Sequence, residues 1–268
     1  MSNQNPRCFI AAMGIVLLLL HKPLLASDAE LAQQLSNPIA DLISVPIQMN
    51  YDRDIGVDDG SKLQANIQPV IPFSMNEEWN VISRTILPVI YQEDIFLNSG
   101  SQFGLGDMSL TVFFSPKKPT SSGITWGVGP IALFPTATEA ELGGKKWGAG
   151  PSGVALMVRG PLTVGALVNH VWSFAGDSDR SDISNSFMQP FVAYTWPSAW
   201  TASLQSETTY NWETESWSVP VNLGVSKLVT IGKLPVSLQA GVGYWLDSPE
   251  TGPEGFRFRL QVSFVLPK

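Results

Sequence analysis

The chain has 268 residues, a formal net charge of −7 and a composition that is 44% hydrophobic and 15% charged. The acidic balance argues against nucleic acid as a partner. A single cysteine, Cys8, leaves no disulfide, no thiol nucleophile and no Cys-based metal site in the remainder of the chain.

From the N-terminus, Arg7 precedes an unbroken apolar run, Cys8 to Leu20, and then Leu25-Ala26-Ser27. That run is too short to cross a bilayer as a helix, which takes roughly 20 residues. It predicts a secretory signal peptide over 1–26, cut after Ala26. Its removal takes away Arg7 and Lys22 but no acidic residue, moving the charge from −7 to −9. Leu31, Leu35 and Ile39, with Leu42 just beyond, predict a short amphipathic helical segment within 27–42, ended near Pro38 and a candidate plug.

Residues 43–268 then read as one domain of short strands. Twelve candidates fall at about 43–50, 62–73, 79–90, 105–115, 124–134, 147–158, 162–174, 186–196, 200–211, 217–226, 235–246 and 256–265. Most have the roughly 10-residue length of a tilted membrane strand. Pro69, Pro88 and Pro190 are expected to disrupt ladders locally. The last candidate alternates without a break: Phe256, Phe258, Leu260, Val262 and Phe264 against Arg257, Arg259, Gln261 and Ser263. Alternate side chains of a strand point to opposite faces, so one face is apolar and the other strongly polar. Weaker versions of this pattern recur along the chain. With a secretion signal in front, they predict an all-β fold, a transmembrane antiparallel β-barrel of about twelve strands in the cell outer membrane. A soluble β-sandwich is the alternative at the level of fold.

The connections offer an independent check. If the first strand runs outward, the odd-numbered connections hold Asp52, Asp54, Asp58, Asp59, Glu93, Asp94, Glu139, Glu141, Asp177, Asp179, Asp182, Glu213, Glu215, Asp247, Glu250 and Glu254, sixteen of the 23 acidic residues. The even-numbered set includes the short turns Arg159-Gly160-Pro161 and Pro197-Ser198-Ala199 and collects Lys117, Lys118, Arg159, Lys227 and Lys233. Long loops outside and short turns on the periplasmic side fit such a barrel. All nine tryptophans, Trp79, Trp126, Trp147, Trp172, Trp196, Trp200, Trp212, Trp217 and Trp245, fall near predicted strand ends. Indole prefers the headgroup level, so these are expected to form membrane-interface girdles.

Several short motifs are ordered along the chain: Asn37-Pro38 followed by Leu42-Ile43-Ser44-Val45-Pro46, then Gly104-Leu105-Gly106-Asp107, Phe134-Pro135-Thr136-Ala137-Thr138 and Trp147-Gly148-Ala149-Gly150-Pro151-Ser152. Trp172 to Asp177, Gln189 to Tyr194 and the closing Phe264 to Lys268 continue the series. In this order the chain resembles the meta-pathway phenol-degradation family of Gram-negative outer-membrane barrels, some of whose members carry the label neuromedin U. The resemblance implies a location and a fold, and a transport role without a defined substrate. It implies little chemistry. From the residues themselves the glycines read as architecture, allowing close backbone approach or strong coiling of the sheet.

Parity places Arg84, Asp107, Glu207, Arg257, Arg259, Gln205, Asn222 and Gln261 on the inward face, as lumen-lining candidates for a solute path. Gln64, Asn66 and Gln68 share that face. The same residues serve equally as a closed network that fills the barrel, because a barrel of this size is only modestly wider than those that side chains fill. His170, with Val164, Ala166, Val168 and Trp172, is expected on the lipid face near the girdle. A lipid hydrolase would need an outward serine beside it, and none is evident on a neighbouring strand. No catalytic residue, metal site or cofactor is expected. The expected partners are outer-membrane lipid and lipopolysaccharide, the barrel-assembly machinery and an unspecified small-molecule solute. The function read from these features is a passive channel or uptake barrel for a small, hydrophobic or aromatic solute. The alternatives are a non-conducting structural or interaction barrel and, third, an outer-membrane lipid hydrolase.

Overall fold

A computed structural model describes residues 27–96 and 99–267. The signal peptide expected over 1–26 lies outside the described residues. Fifteen strand segments follow one short helix: β1 (Ile43–Ile55), β2 (Gly60–Ile67), β3 (Val70–Ser74), β4 (Trp79–Glu93), β5 (Ser101–Leu105), β6 (Met108–Pro116), β7 (Ile124–Phe134), β8 (Lys146–Arg159), β9 (Leu162–Gly176), β10 (Ser184–Thr195), β11 (Trp200–Ser206), β12 (Thr208–Asn211), β13 (Ser216–Ile231), β14 (Leu234–Asp247) and β15 (Phe256–Leu266). Three pairs of segments, β2–β3, β5–β6 and β11–β12, each continue one stave past a short break. The result is a closed antiparallel barrel of twelve staves. Closure comes from β15 pairing back to β1, from Ile43 opposite Leu266 to Tyr51 opposite Phe258.

The breaks have local causes. Pro69 follows Gln68 between β2 and β3, and a proline can give no ladder N–H. Pro88 lies within β4 opposite the Gly106-Asp107 break, and the Gly106 N–H still reaches the Pro88 carbonyl at 2.9 Å. Pro190 stays paired with Ala166 on one side, while on its other side the ladder lapses between Met188 and Phe191, facing the Glu207 break. The strands also run longer than the sequence predicts, so β1 continues to Ile55 and β13 covers 16 residues. Asp52, expected in a loop, is therefore a strand residue.

The faces sort as alternation requires. In β15 Phe258 is 54% exposed and Arg259 only 3%, so the apolar face is the outside of the barrel. An apolar exterior and a polar interior is the arrangement of a barrel solvated by lipid. The interior is not uniformly polar, however. Ile82, Phe113, Val154, Leu156 and Leu167 point inward from β4, β6, β8 and β9 and form a buried apolar wall with Val70. Polar side chains line the opposite wall, carried by β1, β2, β11, β13, β14 and β15.

The helix α1 covers Asp28–Gln34, shorter than expected. Ser27 caps it in a reciprocal capping box with Glu30. It stops before the Ser36-Asn37-Pro38 run because the residue ahead of a proline avoids helical geometry. Ala32, Leu31 and Leu35 pack on Ala199 and Leu228 at the short-turn end, where Gln33 Nε2 also donates to the Gly160 carbonyl at 2.7 Å. Beyond the helix the chain enters the barrel, and Ile39 seats in the apolar wall cluster.

Candidate functional site

The polar wall is built by register. Arg259 on β15 lies directly opposite Asn50 on β1, and its Nε donates to Asn50 Oδ1 at 2.7 Å. Across the other ladder, Gly241 and Gly243 on β14 face Arg259 and Arg257. A Cβ at Gly243 would stand 2.6 Å from Arg257 Cγ, so the bare backbone there makes room for the guanidinium. Arg257 donates through Nη2 to Asp52 Oδ2 at 2.8 Å, and Arg259 through Nη2 to Glu207 Oε2 at 2.6 Å. Arg257 Nη1 also lies 3.6 Å from that Glu207 oxygen. Asp52, Arg257 and Arg259 are buried, and Arg257 Nε and Arg259 Nη1 have no partner.

The network extends from both ends. Trp245 Nε1 donates to Asp52 Oδ1 at 2.8 Å, and Arg257 sits 4.8 Å over the Trp245 ring. Gln205 donates to Glu207 at 3.3 Å, and Gln189 to Gln205 at 3.1 Å. Gln261 bonds Ser263 at 2.9 Å, and both polar atoms of the buried Asn222 amide lack a partner. Lys62 stands beside Asp52 and Arg257. Arg84 faces Glu207 without forming an ion pair, and its Nη2 donates to Gln68 Oε1 at 3.0 Å.

Two lumenal spaces meet at Arg84. One, of about 180 Å³, lies between the N-terminal segment and the polar wall; the other measures about 360 Å³. Gln48, Gln68, Arg84 and Gln189 line both and form the collar between them. The larger space has a mixed lining. Ile86 follows Arg84 on the same face of β4, and Ile131, Leu133, Val171 and Phe187 add apolar surface among the polar Ser109, Thr111, Asn169 and Asn185.

Of the residues predicted to line the lumen, Arg84, Glu207, Arg257, Arg259, Gln205, Asn222 and Gln261 belong to this interior. Asp107 does not. Its carboxylate accepts from the backbone N–H of Ala137 at 3.1 Å and of Gly144 at 2.7 Å, which pins the 135–145 loop. The stave is broken at Asp107, so parity counted through that point misleads. Trp245 is a second correction: strict alternation puts it on the inner face between the exposed Tyr244 and Leu246. Trp147, Trp172, Trp196, Trp200, Trp212 and Trp217 are exposed, and Trp79 and Trp126 meet edge to face with centroids 5.8 Å apart. Sequence reasoning missed Asp52, Lys62 and Gln189 in the lumen, and it missed the inward Phe113. The signal for Asp52 was available, because it continues the parity of Gln48 and Asn50.

On the outer wall, Ser186 on β10 stands directly across from His170 on β9, contrary to the sequence reading that no outward serine adjoins it. His170 Nδ1 is 2.7 Å from Ser186 Oγ, and Trp212 Nε1 donates to the same oxygen at 2.9 Å. The Ser186 oxygen has a second lone pair besides the one facing the indole, so it pairs with Nδ1 in either imidazole tautomer. His170 Nε2 is buried and has no partner. The β9–β10 ladder is unbroken here from Ser184 to Tyr194, so its amides are paired and unavailable to an oxyanion. The trio is a hydrogen-bonded Trp212–Ser186–His170 cluster at the girdle, and the β9–β10 ladder supplies it with no free amide.

At the long-loop end the loops fold across the mouth. Arg180 donates to the Ala140 and Gly143 carbonyls at 3.0 and 2.6 Å. The Lys146 ammonium bonds Asp182 at 2.9 Å, with Ser173 on the same oxygen at 3.1 Å. These bonds, Lys146 foremost, hold the Asp182 carboxyl below the usual carboxylate range. The Asp179 N–H does the same for Asp177, assisted by Lys145. Among the described residues no group of three or more His, Cys, Asp or Glu is placed to hold a metal ion.

No family model and no curated protein sequence matches the chain. Solved structures do. The COG4313 outer membrane channel from Pseudomonas putida F1 superposes with a TM-score of 0.67 at 14% identity, over 84% of this chain and 96% of that one. The NanC porin gives 0.52 at 12% identity, over 84% and 100%. Outer membrane phospholipase A from Escherichia coli gives 0.50 at 11% identity, over 88% and 98%. At these identities the likeness is one of architecture: the chain has the fold of an outer-membrane β-barrel, shared with channels and porins.

Proposed function

We propose that the chain is an outer-membrane channel that admits a small solute of hydrophobic or aromatic character, with the N-terminal segment 27–42 as its plug. In this reading residues 1–26 are the secretory signal, the long loops face the exterior and the short turns face the periplasm. The barrel-assembly machinery inserts the chain, and its outer wall rests in lipid and lipopolysaccharide. The observation that carries the reading is the apolar surface within the lumen: Ile86, Ile131, Leu133, Val171 and Phe187 line its larger space, beside the packed cluster that Ile39 joins. The resemblance to the meta-pathway phenol-degradation family is consistent with such a solute. A second reading, a non-conducting barrel, is favoured by the closed Asp52–Arg257–Glu207–Arg259 network, which fills one side of the lumen.

The test is planar-bilayer conductance of the purified barrel with and without residues 28–41. A small conductance that rises several-fold on deletion is expected. Absence of current in both forms would remove the channel reading and leave the structural one.

A further inference from the structure

We infer that the larger lumenal space is a binding site for a small apolar molecule bearing one carboxylate, with Arg84 as its counter-ion. This deepens the channel reading by naming a solute class, and it rests on that reading only for its physiological role.

The inward-facing ionisable groups at this level are the carboxylates Asp52 and Glu207 and the cations Lys62, Arg84, Arg257 and Arg259. Cations exceed carboxylates by two once Asp107 is assigned to the loop. The carboxylates are already engaged: Asp52 holds Arg257, and Glu207 holds Arg259 and Arg257. Arg84 is left with a single neutral partner, Gln68. A guanidinium offers five donors, so most of its hydrogen-bonding capacity is open. A confined cation whose nearest carboxylate, Glu207, is shared with two other arginines draws an anion. Glu207 also borders this space and would repel one, but the two arginines on it offset its charge.

Shape adds the second requirement. The space measures about 360 Å³, within the ordinary range of small-molecule sites. Besides Arg84 it is lined by Ile131, Leu133, Val171 and Phe187, apolar surface that a hydrated inorganic anion would leave unused. A molecule with a carboxylate at one end and a ring or short chain at the other uses both the cation and the apolar surface. Planar bidentate pairing between guanidinium and carboxylate fixes its orientation. Gln48, Gln68 and Gln189 around Arg84 supply neutral hydrogen bonds at the point where the solute passes toward the second space.

A charge series of one shape tests this: benzoate, benzamide and benzamidinium, titrated calorimetrically into the full-length barrel in detergent at neutral pH, with acetate as the small anion. Benzoate is expected to bind at least tenfold more tightly than benzamide and than acetate, and benzamidinium not at all. Arg84→Gln is expected to remove the preference of benzoate over benzamide, while Arg84→Lys keeps part of it; heat-modifiable migration checks that both variants fold. Equal binding of benzoate and benzamide, or a preference unchanged in Arg84→Gln, would overturn the site. Acetate binding as tightly as benzoate would overturn its amphiphilic character. Equilibrium binding does not require conduction, so a barrel that binds benzoate but carries no current would sink the channel reading and leave the site standing.

Discussion

Asp52 and Arg257 lie 205 positions apart in the chain and 2.8 Å apart in the barrel. Neither is tolerable alone in that environment, because a buried charge without its partner keeps its desolvation cost and loses the compensating attraction. Asp52→Asn is therefore expected to destabilise the barrel by about 3–5 kcal/mol, the range for breaking a buried pair. The measurement is the temperature at which heat-modifiable migration is lost; an unchanged midpoint would show that the pair is solvated. The Ser186 hydroxyl is a residue of a different kind. It accepts a hydrogen bond from the Trp212 indole and shares one with His170 Nδ1, at the level of the aromatic girdle. Ser186→Ala is expected to cost about 1 kcal/mol through the lost hydrogen bonds. Because the paired ladder offers no oxyanion donors, neither wild type nor variant should release fatty acid from phospholipid vesicles. Release by the wild type that disappears in Ser186→Ala would make this an esterase.

Among the elements, the loops at the wide end owe their position to a few charge-assisted bonds rather than to packing. Asp182 joins the 177–183 loop to Lys146 on β8 and to Ser173 on β9. Its carboxyl is held below the usual carboxylate range, so the folded form binds the proton less readily than the unfolded one. Its contribution is then fully present above the ordinary carboxylate pKa and is lost as pH falls below that value and through the depressed folded one. Hydrogen exchange in residues 177–183 is expected to stay slow at neutral pH and to rise in the acid range. Asp182→Asn should lose most of that pH dependence, and an identical profile in the variant would assign it to other groups. The same scale explains the staves. The twelve predicted runs match twelve staves because ten-residue alternation between turn signals is a local property. Their ends were set too short, since the strands continue beyond the bilayer into water, where the apolar half of the alternation fades.

At the scale of the whole molecule, closure decides what the interior is. A barrel of twelve staves leaves a lumen that side chains only partly fill, and the remaining space is divided by the N-terminal segment and the Arg84 collar. Much of this was legible one strand at a time. The alternation around Arg257 and Arg259 placed both inside, and the same parity placed Arg84, Glu207 and Gln205 there. Asp107 and Trp245 were not legible, for different reasons. A break in the stave resets the parity at Asp107, and Trp245 was assigned by its residue type although its neighbours Tyr244 and Leu246 mark the other face.

What the sequence by itself determined is the partition between lipid and lumen. The two-residue period is a property of the extended backbone and needs no partner to be read. What only the tertiary structure decided is who meets whom across the lumen: Asp52 with Arg257, Glu207 with Arg259, Ile39 with Phe113, and Arg84 with Gln68, facing Glu207 without an ion pair. Those pairings follow from the register at which β15 closes on β1 and from the breaks that shift β5–β6 and β11–β12. Alternation along a single strand is blind to both, because it records the face of each side chain and not its height in the barrel.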